Sequence, residues 1–179
     1  MERTLKVIKD TPLMELTLRR YERPDSHNKR ELLKKLCLSL GLLQPGDSRD
    51  IIVDVFYVLL ESKELLSSEE IKEKAVMLRK QHNLALLGTA SSNIRRQIKR
   101  LRDIMLAEKI KNSYRITENL SIKEIFTEKI EKYMLSAIVS RIKDYAEEAD
   151  NAFSRKEEAK PEVMDINENS ENKAERIRI

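Results

Sequence analysis

The 179-residue sequence predicts a mainly α fold with one small β-hairpin. Three observations lead there. Apolar residues recur at steps of three and four, as in Ile94, Ile98, Leu101 and Met105, which is the spacing of one helix face. Aromatic residues make up only 4% and Trp is absent, so the core has to come from Leu, Ile, Val and Met; the aromatic side chains that β-sandwiches favour are scarce. Around residues 109–117 two short alternating runs flank a polar turn. The length suits one domain with appendages, or two small domains.

Residues 1–27 read as an N-terminal arm. Within it Glu15 to Tyr21 alternates Leu16 and Leu18 with polar neighbours, a short strand or extended segment that Pro24 ends. Asn28, with Glu31 three residues on, opens a helix whose buried face is Leu32, Leu33, Leu36, Leu40 and Leu43, before Gln44-Pro45-Gly46 breaks it. Asp47 or Ser48 can cap the next helix. Its apolar positions Ile51, Ile52, Val55, Phe56, Val58, Leu59 and Leu60 cover more than one face, so it belongs at the centre of the core. Ser67-Ser68-Glu69-Glu70 is a capping box for a helix from Ser68 to about Gln81. An apolar connection, Leu84 to Gly88, leads to a basic helix from Ser91 to Leu106 that starts at Thr89 or Ser91.

Lys109-Ile110-Lys111 and Tyr114-Arg115-Ile116-Thr117 then predict a hairpin around a turn at Asn112-Ser113. A second capping box at Ser121 and Glu124 opens a long helix through about Phe153. The remainder, 154–179, is rich in Glu, Asn and Lys and too poor in apolar residues to offset chain entropy, so a disordered tail is expected. The domains expected are thus 1–27, 28–117, 118–153 and 154–179.

Helix, helix, basic helix and hairpin in that order, within 28–117, are the layout of a winged helix-turn-helix. From Arg95 to Arg115 there are eight Lys or Arg against Asp103 and Glu108, a local charge of about +6 against +4 for the whole chain. Duplex DNA is the partner this focused charge suggests, since the aromatic stacking set that single strands need is missing. Ser92, Arg96 and Lys99 lie opposite the apolar face of the basic helix. Arg96 and Lys99 are assigned to guanine edges in a major groove, and Ser91, Ser92 and Asn93 to bases or phosphates. Arg95, Arg100, Lys111, Asn112 and Arg115 are assigned to the DNA backbone.

Other chemistries find little support in the residues. His27, His82 and Cys37 do not occur at metal-ligand spacings, so neither metal nor cofactor is expected. Gly41 to Ser48 has the glycine spacing of a phosphate loop, but Asp47 stands where the lysine must be. No Ser-His-acid or Cys-His grouping appears, which argues against an enzyme. The lone cysteine cannot form an internal disulfide, and no signal peptide or membrane span is read. The expected compartment is the cytoplasm, at the nucleoid.

The run Ser91-Ser92-Asn93-Ile94-Arg95-Arg96-Gln97-Ile98-Lys99-Arg100-Leu101-Arg102, with the later Tyr114-Arg115-Ile116-Thr117, resembles archaeal winged-helix transcriptional regulators of the broad ArsR-like group. Leu18 to Pro24 and Cys37 to Leu43 resemble the N-terminal part of uncharacterised archaeal members. The resemblance covers residues 15 to 150 and implies a dimeric DNA-binding regulator. The metal-binding cysteines of ArsR sensors are missing, so metal sensing is not implied. The Leu84 to Gly88 connection also departs from the tight turn of a typical helix-turn-helix.

The last long helix presents two apolar faces in succession. Ile122, Ile125, Phe126, Ile130 and Tyr133 point one way, and Ile138, Val139, Ile142 and Tyr145 roughly the opposite way, at about 100° per residue. The first set can cover its own domain. The second is expected to form a homodimer interface. The rival expectation for the whole chain is a winged-helix interaction module of transcription or replication machinery.

Overall fold

The computed structural model describes residues 16–25, 27–47 and 50–154. The expected tail from Arg155 onward and Ser48 lie outside the described residues. The order is α1 (Lys29–Ser39), α2 (Ile51–Glu61), β1 (Leu66–Ser67), α3 (Ser68–Gln81), α4 (Ser91–Asp103), β2 (Ala107–Ile110), β3 (Ser113–Ile116), a 3₁₀ turn (Thr117–Asn119), α5 (Ile122–Ile125), a π-helical stretch (Phe126–Leu135) and α6 (Ser136–Ser154). The protein is mainly helical with one small antiparallel sheet, as the periodicity predicts.

Residues 16–25 form no strand. Leu18 is fully exposed, and the arm is tied down by the Thr17 N–H donating to the Ser39 carbonyl at 3.1 Å and by Leu16 against the core. The alternation of Leu16 and Leu18 thus marks an extended segment without a sheet to join. Helix α1 starts as expected, the Asn28 side chain accepting from the Glu31 N–H. It stops at Ser39, four residues before Leu43, because Gly41 adopts φ +66° and turns the chain, while Leu42 and Leu43 still pack inside.

Helix α2 is the centre of the core. Ile51, Ile52, Val53, Val55, Phe56, Val58 and Leu59 are all buried, and α1, α3 and α4 pack around it. The N-cap position of the helix is Asp50, and of the two residues expected there only Asp47 lies among those described. Asp47 is exposed, and the Asp50 side chain makes no cap bond. The Asp50 carboxylate is engaged elsewhere. Asp50 just before α2, Asp54 within it, Arg30 from α1 and Arg79 from α3 form a buried, charge-neutral cluster. Arg30 donates to Asp54 and Asp50 at 2.8 Å each, and Arg79 Nη1 donates to both carboxylates. Arg79 Nε also donates to the Ala85 carbonyl at 2.7 Å, which ties the α3–α4 connection to the cluster. Burial pushes the Asp50 carboxyl up, but the hydrogen bonds from Arg30 and Arg79 outweigh it and hold it below the ordinary carboxylate value.

Both capping boxes form as predicted, at Ser67/Glu70 and Ser121/Glu124. The hairpin gains a third strand. β1 pairs with β3 (Leu66 with Tyr114, Ser67 with Ser113), giving the order β1-β3-β2. The two-residue turn is Lys111-Asn112, one position earlier than expected, because Ser113 is a strand residue paired with both Ile110 and Ser67. Lys111 takes φ +55° to make the turn.

The segment after α5 departs from the expected continuous α-helix. Ile125 and Ile130 are both fully buried although five residues apart, which at about 100° per residue would place them roughly 140° apart, at the two opposite edges of the expected apolar face of an α-helix. The i→i+5 hydrogen bonding of Phe126–Leu135 winds more residues into each turn and aligns them. The same change of phase carries Tyr133 outward, 59% exposed, and Met134 packs against the core in its place. The chain divides into two compact units, the first ending at Ala137 and the second beginning at Ile138. In the second, α6 has no buried residue. Val139, Ile142 and Tyr145 are exposed, and Arg141 stacks on the Tyr145 ring at 5.3 Å. No helix among the described residues is long and apolar enough to cross a membrane.

Candidate nucleic-acid interface

Helix α4 is held by its apolar stripe. Ile94, Ile98 and Leu101 are fully buried against the core, each contributing about 1.5–3 kcal/mol by leaving water. Met105 does not extend that stripe. The helix ends at Asp103, Met105 takes φ +61° in the turn into β2, and Leu106 is buried instead, its N–H donating to the Leu101 carbonyl. The helix is therefore three residues shorter than expected.

A line of polar contacts on one flank fixes how α4 sits. Asn93 Nδ2 donates to the Gly88 carbonyl at 2.7 Å, and its Oδ1 accepts from Gln97 Nε2 at 3.0 Å and Arg96 Nη2 at 2.8 Å. Gln97 Oε1 accepts from Arg100 Nη1 at 3.0 Å, and Arg100 Nη2 donates to the Leu42 carbonyl at 2.7 Å. The chain runs from the loop before α4 to the turn after α1. Gly88 allows the close start, since at φ +80° a Cβ would sit 2.9 Å from Asn93 Nδ2 and 3.2 Å from Ile51 Cγ2. Asn93 and Arg100, assigned to DNA from the sequence, thus carry intramolecular bonds that orient the helix. Buried Gln97, which periodicity places beside the stripe without giving it a task, joins them.

The remaining nominated residues divide by exposure. Ser92, Arg95, Arg96 and Lys99 are exposed on α4, and Lys111 and Asn112 are exposed at the hairpin tip. Ser91 is half-buried and accepts from Lys72 Nζ at 3.1 Å. Arg115 is half-buried and pairs with Glu108 at 2.7 Å. Burial pushes the Glu108 carboxyl up, but the bonds from Arg115 and the Glu118 N–H win and hold it low, so this pair is locally neutral. Arg95 meets Glu69 at 3.3 Å and Lys99 meets Asp103 at 3.0 Å, both at the surface. Such exposed pairs contribute about 0–1 kcal/mol.

Two further cations are exposed, Arg102 at the end of α4 and Lys109 on β2. Both fall in the same charge-rich stretch, so local charge was their only sequence signal. The exposed cations of α4 and the hairpin are accordingly Arg95, Arg96, Lys99, Arg102, Lys109 and Lys111. At the start of α4 no side chain caps the helix and no acid occupies its first turn, while the Asn93 N–H donates to the Ala90 carbonyl at 2.9 Å, so the positive end of the helix dipole carries no neutralising acid in that turn. No group of acids, His and Cys that could hold a metal ion occurs among the described residues. Comparison with protein-family models, with curated proteins and with solved structures finds no match.

Proposed function

We propose that the protein is a winged helix-turn-helix regulator of transcription that binds duplex DNA. The element order α2-β1-α3-α4-β2-β3 supports that architecture, with α4 as recognition helix and the β2–β3 hairpin as wing. The observation that carries the reading is the segregation of α4: one face is fully buried, and the other presents Arg95, Arg96, Lys99 and Arg102 to solvent. Arg96 and Lys99 read base edges in a major groove, while Lys109 and Lys111 meet the neighbouring phosphates. Two copies of the chain engage two half-sites about one helical turn apart. The exposed Leu86 and Leu87 just before α4 favour the second reading, a winged-helix module that docks on another protein.

A salt titration of binding to duplex DNA tests the proposal. Four exposed cations per protomer left to meet phosphates, Arg95, Arg102, Lys109 and Lys111, correspond to a slope of about −3.6 per protomer in log K against log salt, or roughly 150-fold between 50 and 200 mM. Arg96→Ala costs about 1–3 kcal/mol on a selected site and relaxes its base preference, whereas Lys111→Ala weakens all sequences alike and reduces the slope by about one. A flat salt response, or no binding, supports the protein-docking reading.

A further inference from the structure

We infer that α6 pairs with α6 of a second copy of this chain in antiparallel orientation, an inference that rests on the dimer in the reading above. Within the second unit Ile138, Ile142, Tyr145 and Ala149 follow one another at steps of four, three and four, the a/d seam of a coiled coil. None of them is buried within its own protomer.

Two independent features choose the direction. The first is charge. Residues 136–143 contain Arg141 and Lys143 and no acid, whereas residues 144–154 contain Asp144, Glu147, Glu148 and Asp150 and no base. Four acids therefore crowd one half of the helix, with Asp144 three and four residues before Glu147 and Glu148, and repel one another. An antiparallel neighbour relieves this by laying the basic half of each helix beside the acidic half of the other. Arg141 and Glu148 both occupy the position that precedes a seam residue, and such positions face each other across an antiparallel pair. Side by side in parallel, the two acidic halves would repel.

The second feature is size. With the two-fold axis between residues 143 and 144, every seam layer is complementary: Ile138 meets Ala149 of the second copy, and Ile142 meets its Tyr145. The seam is then filled by a large residue against a small one and an aliphatic one against an aromatic one. A parallel pair would instead stack Tyr145 on Tyr145 directly below an Ala149–Ala149 layer that leaves a gap.

Cross-linking reads the orientation directly. In the full chain carrying Cys37→Ala, Ile138→Cys and Ala149→Cys are made as separate proteins, then co-expressed and oxidised. Antiparallel pairing gives a disulfide dimer from the mixed sample at least tenfold above either protein alone. Identical positions would lie eleven residues apart along the helix, about 16 Å, well beyond the roughly 7 Å between Cα atoms that a disulfide spans. Self-linking of each single variant would overturn the inference in favour of a parallel pair. Absence of a link in the mixed sample, with a monomer mass for the unsubstituted chain in light scattering, would overturn it too. DNA binding is scored separately by the salt titration, so a chain that pairs but ignores DNA sinks only the DNA reading, and a chain that binds DNA as a monomer sinks only this one.

Discussion

Replacing Asp54 by Ala tests the buried cluster that sets α1, α3 and the approach to α4 around α2. Asp54 is 0% exposed and accepts from Arg30 Nε, Arg30 Nη2 and Arg79 Nη1. In the native protein two guanidinium groups face two carboxylates. Without Asp54, one positive charge stays buried without a counter-charge, a change that costs about 3–5 kcal/mol. Against a typical total stability of about 5–15 kcal/mol, that is between roughly a fifth and the whole of the margin. At about 4 °C per kcal/mol for a domain of this size, the melting temperature falls by roughly 12–20 °C. Urea unfolding followed by circular dichroism gives the free energy, and the double variant Arg30→Met/Asp54→Leu supplies the control. That variant leaves the neutral Asp50–Arg79 pair, so it is expected to recover at least half of the loss. A single-variant cost below about 1 kcal/mol, or a double variant as unstable as the sum of its parts, would refute the account of a charge-balanced cluster.

Two further outcomes follow from the same geometry. Gly88→Ala is expected to cost about 1–3 kcal/mol, because φ +80° disfavours a side chain and the new Cβ would press on Asn93 and Ile51. Gly46→Ala, at φ +81° in open space, should cost only about 1 kcal/mol, and equal losses in urea unfolding would contradict the role given to Gly88. Stability should also fall in acid through Asp50, whose carboxyl is held below its ordinary value of 3.8. Below that value the unfolded chain takes up the proton before the folded one, so the contribution is complete above about pH 4 and is lost as pH drops through the folded pKa. Asp50→Asn should flatten this part of the pH dependence of the unfolding midpoint; an unchanged slope would show that other carboxylates carry it.

Local signals made most of the elements legible in the sequence. Capping boxes at Ser67 and Ser121, the Asn28 cap and the stripe Ile94, Ile98 and Leu101 involve residues within a few positions of one another, and the backbone obeys them wherever it lies in the fold. The concentration of charge between Arg95 and Arg115 is of the same kind, and the exposed cations of α4 and the hairpin come from it. Tertiary structure decided what depends on distant partners. Arg30, Asp50, Asp54 and Arg79 span fifty positions, and only packing of α1 and α3 on α2 makes them one neutral cluster. Periodicity puts Arg96 opposite the stripe and Arg100 off that line, but nothing local tells that the Arg100 guanidinium reaches the Leu42 carbonyl 58 residues away. The third strand arises because β3 has a second free edge for Leu66 and Ser67 to meet, and the π-helical stretch because burying both Ile125 and Ile130 outweighs regular winding. Periodicity reports which side chains need cover; the packed chain alone determines which groups supply it.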